Sequence, residues 1–268
     1  MDGCPSVMKL VAFKPLFTVF AVLALLSAVG GAAVYYMHYG VLKSLAASTP
    51  SLGDILDRVD KLEYEVRVGS EVYRVVVDNS PGSRSGVAEL YKEGELQYKI
   101  SYEYGENALT SMTMVDPDSG QETPLDVLRW EEAFLTGFSF TQGSQGEIIG
   151  VDVFPGIAPL YLHYYISGAL GVDWGQFIAQ GQASSLVRVN VSFQKVDTPE
   201  GAKRGLQVVL LPQAAGLSQN PWAQAPLSME LARIDGLIAA SKIRYDLAIP
   251  GQEEGGIEVT LTLLQTTG

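Results

Sequence analysis

No charged residue occurs between Pro15 and Leu42, and that one stretch constrains the chain more than anything after it. Its densest part, Leu16 to Tyr36, reads LFTVFAVLALLSAVGGAAVYY. A helix rises about 1.5 Å per residue, so roughly 20 apolar residues cross a hydrocarbon layer. This run is long enough, with some tilt. Lys9 and Lys14 precede it, and Tyr35, Tyr36 and Tyr39 gather at its far end. Basic residues favour the cytoplasmic side, and phenol rings suit the polar boundary of the bilayer.

The expectation is therefore a single-pass chain in the cytoplasmic membrane. Residues 1–14 form a short cytoplasmic amino terminus and residues 15–42 a transmembrane signal-anchor helix. Residues 43–61 form a juxtamembrane linker with a short helix, and residues 62–268 an extracytoplasmic β-rich domain. The alternative is a cleaved signal peptide, with an apolar h-region from Leu16 to Leu26 and small residues Gly31 and Ala33 at the cleavage site. An h-region spans only about 7–15 residues, whereas this run continues through Val34–Met37. That favours the anchor. Both readings put the large domain outside.

Charge limits the partners. Residues 1–42 contain only Asp2, Lys9 and Lys14, so the formal charge of −12 splits into +1 there and −13 over residues 43–268. An acidic domain without a Lys/Arg cluster repels phosphate backbones, which argues against nucleic acid as a partner. A hydrophobic content of 47% with 18% charged residues suits a chain with a sizeable core rather than a disordered one. Cys4 is the one cysteine, and His38 and His163 are the two histidines. No intramolecular disulfide can form, and a zinc or copper site built from several imidazoles or thiolates is out of reach.

Beyond the anchor, Ser51-Leu52-Gly53-Asp54 reads as a capping box opening a short helix, Leu52 to about Lys61. The period then changes from helical to two. Leu62, Tyr64, Val66 and Val68 alternate with Glu63, Glu65 and Arg67; further on, Leu96, Tyr98, Ile100, Tyr102 and Tyr104 share one face. Short turns separate the strands Leu62–Val68, Glu71–Asp78, Val87–Lys92, Leu96–Tyr104 and Ala108–Val115, which implies an antiparallel meander. Thr123-Pro124-Leu125-Asp126 announces a helix capped by Thr123 and running to about Leu135. The apolar run Ala158–Leu170 reads as a second, buried helix, and the Gly-rich string Gly137–Gly150 between them as a flexible loop. Strands then return at Val187–Gln194, Lys203–Leu211, Leu227–Ile234, Leu237–Ile249 and Ile257–Leu263. Asp235-Gly236 supplies a two-residue hairpin turn.

Two strand blocks flanking two helices give an α+β, β-rich fold: one curved antiparallel sheet packed on two mid-chain helices. This layout resembles the half-barrel architecture of the LolA/LolB-type lipoprotein carriers, which bind acyl chains between sheet and helices. The resemblance is one of architecture and assigns no site residue here.

Motifs with chemistry are few. Asp116, Asp118 and Glu122 crowd one loop and are candidate Ca²⁺ ligands, but the glycine falls one place early for an EF-hand loop and a plain turn explains the sequence. Glu131-Glu132 and Glu253-Glu254 are adjacent pairs that cannot share a helix face, and read as solvated surface. His163 reads as a hydrogen-bonded core or boundary histidine rather than a general base. Asn190-Val191-Ser192 is an acceptor sequon for N-glycosylation on the polar face of a strand. Trp174 and Trp222 read as core-edge packing. No Gly-x-Ser-x-Gly elbow, Walker loop or dinucleotide fingerprint occurs, and no cofactor is implied.

The expected function is a membrane-anchored cell-envelope protein that binds a partner protein or ligand without catalysis. Three alternatives stand beside it. One is a carrier or sensor of a lipid or other apolar ligand, held between the sheet and helix Ala158–Leu170. Another is a secreted surface-filament subunit, and the last is a hydrolase with carboxylates assembled from distant strands.

Overall fold

Alternation of apolar and polar side chains builds most of the molecule. The computed structural model describes residues 26, 27, 29, 39–47, 49–180, 186–213, 220–247 and 256–268. The chain divides into two compact units, Met1–Gly40 and Val41–Gly268. In the first unit residues 26, 27, 29, 39 and 40 are helical; in the second, Val41 and Leu42, expected at the end of the span 15–42, are buried in its core instead, and the remaining residues of that span lie outside the described residues. Among the described residues no helix is long and apolar enough to cross a membrane.

In the second unit, the short helix α1 (Leu52–Leu56) opens with the expected capping box: Ser51 Oγ accepts from Asp54 N at 3.0 Å, and Asp54 Oδ2 accepts from Ser51 N at 3.3 Å. Leu45, Leu52, Ile55 and Leu56 are buried in the common core, so this segment is part of the unit. Strands β1 (Lys61–Val68), β2 (Glu71–Ser80), β3 (Ser85–Lys92), β4 (Glu95–Tyr104), β5 (Leu109–Val115) and the short β6 (Glu122–Pro124) then run as successive antiparallel neighbours.

The chain next forms helix α2 (Val127–Thr136), a hairpin of β7 (Phe138–Gln142) and β8 (Ile148–Val153), helix α3 (Ala158–Ala169) and the short α4 (Trp174–Gln180). It returns to the sheet through β9 (Val187–Thr198), β10 (Gly201–Pro212), β11 (Leu227–Ile234), β12 (Leu237–Leu247) and β13 (Ile257–Thr267). The first and last strands meet at the centre, β1 against β13. The outcome is an 11-stranded antiparallel sheet in the order β6-β5-β4-β3-β2-β1-β13-β12-β11-β10-β9. The fold is α+β and β-rich.

That order decides where the helices lie. The chain leaves the sheet at one edge, β6, and re-enters at the other, β9, so the connection must cross a face. It does: α2 packs near β5, and α3 lies against β12 and β13. The inward residues of the central strands, Leu62, Tyr64, Val66 and Leu261, are completely buried beneath this layer. The Asp235-Gly236 turn has φ of 49° and 79°, both positive as the tight hairpin requires, and only glycine takes the second value without strain.

Four local expectations change. The string read as a flexible loop, Gly137–Gly150, contains β7 and the start of β8; Phe138 and Ile148 are buried and anchor the hairpin. Helix α2 is capped by Asp126, whose carboxylate accepts from Leu128 N at 3.1 Å, not by Thr123. Residues Glu122–Pro124 instead pair with β5 as an edge strand, and Leu125 N extends this to Met112 O at 2.9 Å. Helix α1 ends at Leu56 rather than near Lys61, because Lys61 already pairs in the sheet. Helix α4 was not foreseen at all.

Candidate functional site

The period of two places Tyr73, Leu90, Ile100 and Met114 on the same face of β2–β5, and the register sets them side by side. Tyr73 is opposite Lys92, Leu90 opposite Tyr98, and Ile100 opposite both Ala88 and Met114. Above this patch the helical layer does not close down completely. A cavity of ≈ 510 Å³ remains, floored by those sheet residues, roofed by Leu125 and Trp130 of the α2 region, and walled by Ser139, Asp152, Val153 and Phe154. Cavities of about 300–1,000 Å³ with mainly apolar walls and a few polar groups are the usual form of small-molecule sites.

The roof is fixed by aromatic contact. Trp130 stacks on Phe154 with centroids 5.2 Å apart and planes at 16°, and the Arg129 guanidinium lies 5.6 Å from the indole. The hairpin wall is tied to the other half of the sheet through Gln224, whose amide accepts from Ile148 N at 3.2 Å and donates to Gly146 O at 2.7 Å. Ring contacts of Phe138 and Phe140 with Trp222 support it from behind.

Polar groups gather at the rim. Lys92 Nζ stands 5.4 Å over the Tyr73 ring and 2.6 Å from Glu71 Oε1, while the Tyr73 hydroxyl donates to Glu71 Oε2 at 2.5 Å. The Lys92 ammonium, followed by the Tyr73 hydroxyl, holds the Glu71 carboxyl below the usual carboxylate range. Among the residues that line the cavity, Lys92 is the cation and Asp152 the anion. Tyr98 is 48% exposed at the edge.

The residues singled out in the sequence lie elsewhere. Asp116 Oδ1 accepts from the backbone N–H groups of Asp118 and Ser119 at 3.0 and 2.7 Å, so its carboxylate closes its own turn; these bonds lower its pKa. Among the described residues, no group of three or more His, Cys, Asp or Glu side chains is placed to hold a metal ion. Asn190 is exposed on β9, opposite Val209. Glu131 is not free surface: its Oε1 accepts from Leu109 N at 2.9 Å and ties α2 to β5. Glu253 and Glu254 lie outside the described residues.

His163 is buried as expected, but neither ring nitrogen has a hydrogen-bond partner. Burial pushes its pKa down to about 3. The indole nitrogens of Trp174 and Trp222 are likewise buried without partners.

No protein-family model matches the chain, and no curated protein sequence matches it either. The geometry must carry the reading by itself.

The cavity residues Tyr73, Lys92, Met114, Trp130 and Phe154 were not singled out from the sequence. A faint signal was there: Met114 and Tyr98 continue the apolar side of strands whose polar sides are clear. What raises them to a site is the gap between sheet and helix, which no local pattern encodes.

Proposed function

We propose that the protein is a non-catalytic carrier or sensor of an apolar ligand, held on the outer side of the cytoplasmic membrane by a span within the apolar run Leu16–Tyr36. The ligand occupies the cavity between β2–β5 and α2, not the interface of the sheet with α3. The single observation that supports this reading is the ≈ 510 Å³ hollow under Trp130, with Leu90, Ile100, Met114, Val153 and Phe154 among its walls. Burying apolar ligand surface against such walls contributes about 25 cal/mol per Å², while Lys92 and Asp152 orient a polar end. In architecture the proposal is a half-barrel of the LolA/LolB type, with an open sheet closed over by helices.

The full-length protein, exchanged exhaustively from detergent into an amphipathic polymer, is the material for the test. Its retained small molecules are extracted and identified by mass spectrometry beside those of a Met114→Trp variant, in which the added ring fills the cavity. We expect an amphiphile at close to one equivalent with the natural protein and its loss from the variant. Equal extracts from two folded proteins reject the reading.

A further inference from the structure

The lining of the cavity carries an unbalanced negative charge. Its two charged side chains are Lys92 and Asp152. Lys92 is already matched, with Nζ 2.6 Å from Glu71 Oε1 and 5.4 Å over the Tyr73 ring. Asp152 is not. It stands opposite Ser139 on the hairpin wall, and its carboxylate is exposed. Among the described residues that carboxylate has no hydrogen-bond or ion-pair partner.

The floor adds an aromatic face. Tyr98 of β4 borders the same cavity and is 48% exposed. Tyr73 has Lys92 over its ring, and Trp130 has Phe154 and the Arg129 guanidinium beside it. Among the described residues no ring or cation lies against Tyr98. Such a face attracts a cation through the ring quadrupole.

A carboxylate and an open phenol ring bordering one apolar hollow suit a positive head on an apolar body. The body fills the space among Leu90, Ile100, Met114 and Val153, while the head stays at the wet mouth. An anionic head has no such place: it would have to draw Lys92 away from Glu71, and it would meet Asp152. The whole domain acts in the same direction, since residues 43–268 carry −13 and gather cations at their surface.

We infer that the ligand is a cationic amphiphile whose ammonium head is received by Asp152 and Tyr98. The inference rests on the ligand reading above and deepens it by naming the ligand class. An exposed ion pair strengthens binding up to about fivefold, and a cation over an exposed ring about two- to fivefold. Together they favour the charged head over a neutral one by about tenfold.

Photolabelling of the full-length protein in phosphatidylcholine nanodiscs tests this. The probes share one dodecyl chain bearing a diazirine and differ in the head: trimethylammonium, hydroxyl or carboxylate. Each is used below saturation, and label on Ile100 and Met114 is quantified by peptide mass spectrometry. In the natural protein the ammonium probe should label these residues about tenfold more than the alcohol, and the carboxylate least. Asp152→Asn should lower the ammonium label about fivefold and leave the alcohol unchanged. Asp197→Asn, which removes the same charge from the edge strand β9, should change neither. Equal label from the three heads in the natural protein, or a carboxylate preference, overturns the cationic class and leaves the apolar-ligand reading standing. So does an ammonium preference that Asp152→Asn leaves intact, or that Asp197→Asn weakens equally. Absence of label on Ile100 and Met114 with every probe overturns the ligand reading itself. If Asp152→Asn fails to fold, Tyr98→Leu decides: it must lower the ammonium label about two- to fivefold without changing the alcohol.

Discussion

The Tyr64 hydroxyl donates to the carbonyl of Gly156 at 3.0 Å, inside the core and across 92 residues of sequence. Tyr64 lies on the central strand β1; Gly156 lies in the short link between β8 and α3. The same link returns backbone bonds to α2, with Ile157 N donating to Phe134 O at 2.9 Å and Phe154 N to Gly137 O at 2.9 Å. This knot fixes the helical layer, and hence the cavity roof, to the middle of the sheet. Burial raises the Tyr64 pKa well above the ordinary phenol value, so the hydroxyl stays a donor across the whole working pH range.

Removing that donor should loosen the layer. Tyr64→Phe leaves a buried carbonyl unpaired and should cost about 1–3 kcal/mol of unfolding free energy. Gly156→Ala should cost at least as much, about 3 kcal/mol, because a Cβ there would stand 1.9 Å from Phe134 O. Urea denaturation followed by circular dichroism measures both. A Gly156→Ala protein as stable as the natural one would show that the link is looser than described.

His163 should make the protein acid-sensitive. Its folded-state pKa of about 3 lies below the ordinary 6.5, so folding disfavours the charged ring. Above pH 6.5 the ring is neutral in both states and has no effect on the pH dependence. As pH falls below 6.5, the unfolded chain gains a proton that the folded chain refuses, and stability drops until about pH 3. At about pH 4.5 the loss is about 3 kcal/mol. His163→Leu should be close to neutral at pH 7.5, since it removes two unpaired nitrogens, and should escape this loss. Unfolding curves of both proteins at about pH 4.5 and 7.5 check it; parallel declines in the two would rule out His163 as the source.

Calcium should not matter to the loop around Asp116. The carboxylate already serves two backbone N–H groups, so adding Ca²⁺ or a chelator should leave the melting temperature unchanged. A calcium-dependent rise that Asp116→Ala abolishes would reverse this assignment.

The orientation proposed for the anchor has a direct test. Protease added to intact cells should digest residues 43–268 and spare residues 1–14. Resistance of the large domain in intact cells, with cleavage once they are opened, would place it on the cytoplasmic side.

Much of the sheet was legible because a strand half-buried on one side must alternate, and Leu62–Val68 and Leu96–Tyr104 do so with few exceptions. The hairpin β7–β8 was not, because its inward residues Phe138 and Phe140 are followed by the Gly/Gln-rich Thr141–Gly146, which by itself reads as loop. Its order comes from distant partners, Trp222 and Gln224. Helix α2 was found, but its start was misplaced by three residues, since Glu122–Pro124 found a strand partner in β5 that competes with capping.

The sequence by itself determined the local alphabet of this protein: which segments alternate, and where Ser51 and Asp235-Gly236 cap and turn. Those outcomes depend on a residue and its near neighbours. Tertiary structure alone decided that β1 pairs with β13, that β6 and β9 become opposite edges, and that a cavity stays open beneath Trp130. These depend on how far apart packed layers come to rest, and that distance is set by many side chains acting together rather than by any pattern along the chain.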